Sequence, residues 1–176
     1  MNRLSFFLVF MLSAAYCAAQ QLPSVQLKDI DGKTVHTEKL NNDGKPFIIS
    51  FFATWCKPCL RELEAISEVY EEWREETGVK LIAVSIDGAQ NSLKVGPAVK
   101  AKGWEYEVLL DPNGDFKRAL GVNLIPAVFI IDKNGKITHS RTGYTNGSEK
   151  HLIEEVRKLI ADITLRPVTI PSRNLS

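Results

Sequence analysis

Apolar positions along this chain follow three spacings, and each predicts a different element. The stretch PFIISFFA (46–53) is apolar throughout and bounded by NNDGKP, which predicts a central strand buried on both faces. VKLIAVSI (79–86) reads as a second buried strand. From Leu60 the period lengthens: Leu63, Ile66, Val69/Tyr70 and Trp73 recur at helical spacing, with Glu64, Glu68, Glu71, Glu72, Glu75 and Glu76 as a solvated face. Gly78 stops this helix. Upstream, SVQLKDIDGKTVHTEKL reads as two short strands around an Asp31-Gly32 turn, followed by a brief helical turn.

Downstream, NSLKVGPAVKAKG predicts a helix that Pro97 either opens or kinks. YEVLLD predicts a strand, DPNG a turn, and DFKRALGV a short helix. AVFIID, the turn DKNG and KITHSRTG form a hairpin. Ser148 caps a last helix whose Leu152, Ile153, Val156, Leu159, Ile160 and Ile163 face the core. Residues 165–176, with Pro167 and Pro171, are expected to form a flexible tail. Strands that alternate with helices and finish in a hairpin imply an α/β sandwich, a mixed sheet with helices on both faces.

The N-terminus changes the picture. In MNRLSFFLVFMLSAAYCAAQ, Arg3 precedes a short apolar run that small residues follow. That is the pattern of a secretory signal peptide covering 1–19, with cleavage after Ala19. Lipidation of Cys17 is the rival, and Tyr16 fits it poorly, since a small residue belongs there. The mature chain is expected to begin at Gln20 without lipid. Intact mass of the exported protein checks this, and a diacylglyceryl adduct on Cys17 would overturn it.

Once Arg3 leaves with the leader, the 22 Lys+Arg fall to 21, against 21 Asp+Glu. The mature chain is near neutral, its segment 20–164 is of single-domain length, and no basic block suggests nucleic acid. Export also leaves only two of the 3 cysteines, Cys56 and Cys59, both in one CxxC and in a compartment where disulfides persist.

Three uses of that pair can be weighed. Structural zinc needs four N/S ligands, and the other candidates, His36, His139 and His151, are scattered over separate elements, so no metal is expected. As a staple the bridge closes a tiny loop and removes little chain entropy. Redox chemistry suits the placement, because Cys56 ends a buried strand and opens a helix. The helix N-terminus favours a thiolate, and Lys57 adds positive charge. Such surroundings lower a cysteine pKa from about 8.5 into roughly the 3.5–7.5 range. Pro58 is tolerated in a first helical turn and stiffens the loop, and Cys59 lies one turn deeper.

The run FFATWCKPCLRELEAI resembles the active site of thioredoxin-fold proteins, especially exported TlpA/ResA-type thiol–disulfide oxidoreductases. The similarity spans nearly the whole mature chain and extends to NLIPAVFIID. It implies a thioredoxin-like three-layer sandwich with an N-terminal β-hairpin extension. It further implies a Cys56–Cys59 disulfide with Cys56 as nucleophile and Cys59 as resolving thiol. Trp55 would pack beside the pair, and a cis Pro126 would face it while Ile125 offers backbone pairing to a bound partner. Ser50 stands where cytoplasmic thioredoxins carry a buried acid. ResA-type members have a carboxylate just after the next strand, and Asp87 stands about one position before that place. Asp87 is thus a candidate acceptor for the Cys59 proton, or else a turn residue of SIDG.

The implied function is disulfide exchange with thiol- or disulfide-bearing client proteins, as a reductant and without a cofactor. Cytochrome c apoproteins or general oxidised cysteines are the client classes, a membrane-embedded thiol donor would recharge the pair, and the protein is expected to be a periplasmic monomer. A peroxide-reducing enzyme would need Pro-x-x-x-Thr-x-x-Cys, whereas Thr54 stands two residues before Cys56 with no such proline. A copper carrier on this fold would need CxxxC and a distant histidine.

Overall fold

The computed structural model describes residues 21–165. The expected leader 1–19, and all but the first residue of the expected tail, lie outside the described residues. The elements in chain order are β1 (Gln26–Asp29), β2 (Thr34–His36), a 3-10 turn (Thr37–Lys39), β3 (Phe47–Phe52), α1 (Lys57–Ser67), α2 (Tyr70–Thr77) and β4 (Lys80–Ser85). They continue with α3 (Ala89–Lys102), β5 (Glu107–Leu110), α4 (Asp115–Ala119), β6 (Ala127–Ile131), β7 (Ile137–Thr142) and α5 (Ser148–Leu165).

Seven strands form one sheet in the order β2-β1-β5-β4-β3-β6-β7. β3 runs parallel to β4 and antiparallel to β6, and β4 runs parallel to β5. The β1–β2 hairpin joins antiparallel to β5. Parallel crossovers from β3 to β4 and from β4 to β5 step the same way across the sheet. Because such crossovers are right-handed, α1 and α3 fall on one face. α5 joins them there, in a core that includes Leu63, Ile66, Val95, Val99, Leu152 and Val156. The short α4 covers the other face with Phe116 and Leu120, packed on Phe51, Val84 and Leu109. All six residues of β3 are buried, as a run apolar but for Ser50 predicts.

Two elements differ from the sequence reading. The helix expected from Leu60 to Gly78 is broken at Glu68–Val69 into α1 and α2. At the break the Val69 N–H bonds to Ile66 O, three residues back, and α2 starts afresh. This turn sinks Tyr70 and Trp73 into the core, where the Leu81 N–H donates to the Tyr70 hydroxyl at 3.0 Å. Apolar spacing is the same for a straight helix and a broken one, so periodicity could not show the break. Gly78 does end α2, in the left-handed conformation (φ 65) that glycine adopts without a Cβ clash. Pro97 opens nothing: it lies inside α3, which begins before the predicted stretch, at Ala89.

Candidate active site

β3 delivers the chain to the CxxC. Its last turns are apolar and pinned between β4 and β6, so the chain leaves the sheet at a fixed point, Ala53. Cys56 is the N-cap of α1, Pro58 lies in the first turn, and the Cys56 sulfur accepts the Cys59 N–H at 3.3 Å. A sulfur there meets the unpaired N–H groups and positive end of the helix. Cys56 and Cys59 are joined in a disulfide, with Cα atoms 5.3 Å apart. Both are buried in this closed form, Cys56 at 6% exposure and Cys59 at 0%. Cys56 is thus less open than a free nucleophile would be, yet it is the outer member of the pair. Lys57, the first residue of α1, is exposed.

Asp87 lies just beyond β4 and is buried at 1% exposure. Its carboxylate accepts the Thr54 N–H at 2.8 Å, the Thr54 hydroxyl at 2.6 Å and the Ser85 hydroxyl at 2.8 Å. Asp87 therefore clamps the loop two residues before Cys56. Replacement by Asn removes acceptor capacity and leaves one buried donor unmatched, at a cost of about 1–3 kcal/mol. Asp87→Asn is expected to lose stability in that range and to slow attack and release alike, because the loop shifts as a unit. Denaturation and stopped-flow kinetics check this. A selective loss of release would instead assign the Cys59 proton to Asp87.

The Ile125–Pro126 peptide bond is cis. Phe51 pairs with Ala127, so the next step of the ladder sets Pro126 beside the chain as it leaves β3 for the cysteines. The Gly143 N–H donates to Pro126 O at 2.8 Å, which ties this turn to the end of β7. Ile125 is half-buried and packs against both core clusters.

A second carboxylate lies closer to Cys59 in the chain. Glu62, one turn on along α1, is completely buried on the face that carries Cys59, Leu63 and Ile66. Helical side chains lean toward the N-terminus, so Glu62 leans over the turn of Cys59. Its partners are Arg141 Nη2 of β7 at 2.5 Å and the Ser50 hydroxyl of β3 at 3.5 Å. Burial pushes the Glu62 carboxyl above the ordinary value, against the opposing pull of Arg141 and Ser50.

A profile of the AhpC/TSA family matches residues 18–140. The chain belongs to this family. It is 30% identical over 141 residues to the thiol-disulfide oxidoreductase ResA of Bacillus thuringiensis subsp. konkukian, covering 80% of this chain and 77% of that protein. An uncharacterized thioredoxin-like protein from Porphyromonas gingivalis has a solution structure that matches with a TM-score of 0.73. That match has 67% sequence identity and covers 80% of this chain and 92% of the other. StoA from Bacillus subtilis matches with a TM-score of 0.60 at 24% identity, over 76% of this chain and 97% of that one, which shows the shared fold. The protein is a thioredoxin-like member of the AhpC/TSA family and a thiol–disulfide oxidoreductase.

The AhpC/TSA domain also carries groups that sequence reasoning missed. Glu62 was readable: it lies three residues from Cys59 on the face of Leu63 and Ile66, the one carboxylate within an apolar stripe. Arg141 offered no local signal, since β7 alternates few apolar residues and its partner is far away in the chain. Trp55 does not pack as a core aromatic; it is 65% exposed, immediately before Cys56. Leu124, in the turn that leads to Pro126, is 71% exposed. These two exposed apolar side chains stand on the two chain segments that frame the disulfide.

Proposed function

We propose that the protein is an exported reductant of client disulfides, with Cys56 as nucleophile, Cys59 as resolving thiol and Glu62 as acceptor of the Cys59 proton. The observation that carries this reading is a closed Cys56–Cys59 pair at the start of α1 with a fully buried carboxyl one turn behind the inner cysteine. A resolving thiol must lose its proton before it attacks, and a buried carboxylate whose pKa is raised is a stronger base for that transfer than an ordinary one. Asp87 serves the site by holding Thr54.

The direction of electron flow follows from charge. A strong oxidant owes its potential to a stabilised reduced form. Here the helix N-terminus and Lys57 stabilise a Cys56 thiolate and so pull toward the oxidant, but the Glu62 carboxylate buried behind Cys59 destabilises a second thiolate and pulls the other way. That favours the reductant. Clients dock through Trp55, Leu124 and the backbone at Ile125 and Pro126, and cytochrome c apoproteins or other exported proteins with oxidised cysteines are the client classes. A membrane-embedded thiol donor recharges the pair, and the protein acts as a monomer. Among the described residues no helix is long and apolar enough to cross a membrane.

Equilibration of the pair with glutathione buffers tests the direction. The potential is expected nearer the roughly −270 mV of thioredoxin than the roughly −120 mV of DsbA. A value close to the latter overturns the reductant reading. Peroxide consumption faster than that of a free thiol overturns disulfide exchange as the principal activity.

A further inference from the structure

Arg141 has three fixed acceptors. Its guanidinium donates to Gly143 O at 2.8 Å, to the Ser148 hydroxyl at 3.0 Å and to Glu62 Oε1 at 2.5 Å. The first closes the end of β7, the second reaches the start of α5, and the third crosses to α1. A rigid fork spread over three elements can hold a carboxylate in one place, which a flexible lysine ammonium cannot do equally well. The backbone of Arg141 pairs with Val128, two residues beyond Pro126, and Gly143 bonds Pro126 itself. The client-docking turn and the proton acceptor of Cys59 are therefore braced by the same residue.

We propose that Arg141 is a positioning residue for the resolving step: it keeps the Glu62 carboxylate charged and aimed at Cys59, and so sets the pH range in which mixed disulfides are released. This rests on the assignment of Glu62 as proton acceptor. The groups that face Glu62 are few. Ser50 on β3 offers a hydroxyl, Cys59 shares its helix, and Glu149 on α5 is a like charge that works against ionisation. Tyr144, before α5, bonds Glu149 at 3.4 Å. Arg61, whose charge acts on Tyr144, is exposed. Arg141 is thus the one cation bonded to the Glu62 carboxylate among the described residues, and without it the carboxyl sits among uncharged core atoms and a like charge.

The chemistry balances simply. In reaction with dithiobis(nitrobenzoate), the Cys56 thiolate attacks one sulfur and releases the first thionitrobenzoate. Cys59 then passes its proton to Glu62 and attacks the Cys56 sulfur. The second thionitrobenzoate leaves, the Cys56–Cys59 disulfide forms, and Glu62 returns its proton to solvent. The aryl disulfide gains two electrons and the protein loses two. The first release depends on reagent concentration and the second does not, so stopped-flow separates them.

The rate of the second release, measured across pH in wild type, Arg141→Met, Arg141→Lys and Glu62→Gln, tests the proposal. An opposite charge at this distance moves a carboxyl by about one to three pH units, so the acid limb of Arg141→Met should rise by that much. Arg141→Lys should recover part of the shift, and the first release should move less than the second. Glu62→Gln should lose the limb, with or without Arg141. An unmoved limb in Arg141→Met, alongside a lost limb in Glu62→Gln, overturns the role of Arg141 and leaves that of Glu62 standing. A limb retained in Glu62→Gln overturns the acceptor assignment itself. If Arg141→Met does not fold, Arg141→Gln carries the same comparison, with a raised limb supporting the proposal and an unmoved one overturning it.

Discussion

Cys59→Ser should accumulate as a mixed disulfide with its client, held through Cys56, while Cys56→Ser traps nothing. The expected difference is close to all or none, because the two sulfurs have unequal surroundings. Cys56 caps α1, where helix N–H groups and Lys57 favour the thiolate. Cys59 is wholly buried behind it, with Glu62 one turn on. Attack is therefore expected from Cys56, and release is expected to need Cys59 to displace the client sulfur. Non-reducing gels of both variants recovered from the exported fraction, with mass spectrometry of any adduct, make the measurement. In reduced wild type, alkylation at mildly acidic pH should label Cys56 first. Equal trapping by the two variants, or alkylation that favours Cys59, would falsify this division of labour.

Glu62→Gln should slow release by about a hundredfold or more, the usual contribution of a positioned general acid–base group. Its effect on stability should depend on pH. The folded carboxyl titrates above its ordinary value of 4.5 because burial outweighs the pull of Arg141. The folded chain thus holds this proton more tightly than the unfolded chain does. That contribution to stability is complete below the unfolded value and is lost as pH rises through the folded one. Glutamine has no proton to lose, so the decline should vanish in the variant. Arg141 retains Gly143 and Ser148 as partners, which keeps the variant short of the roughly 3–5 kcal/mol that an abandoned buried charge costs. Denaturant unfolding at several pH values should show the deficit of Glu62→Gln narrowing as pH rises. A deficit that widens with pH would mean that Arg141 more than offsets burial.

Much of this protein was legible without coordinates. Short-range rules sufficed for β3, whose run, apolar but for Ser50, has only one stable place, between two packed faces. They also sufficed for the reactive pair, because a CxxC at a strand-to-helix junction carries its own electrostatics in the adjacent helix. The same holds for the end of α2, which Gly78 dictates through its freedom at positive φ. Local pattern was silent wherever a side chain answers to distant partners. Asp87 reads equally as a turn residue or an acid, and only the fold brings Thr54 into its reach. Arg141 and Glu62 are 79 residues apart, and although the place of Glu62 on the apolar face of α1 is local, nothing local to Arg141 announces the pairing. The sequence by itself determined the layered α/β architecture and the identity of the redox cysteines, because periodicity and helix capping act within a few residues. The tertiary structure decided which carboxylate lies buried behind Cys59 and which cation holds it, because burial and ion pairing exist only once separate elements close on each other.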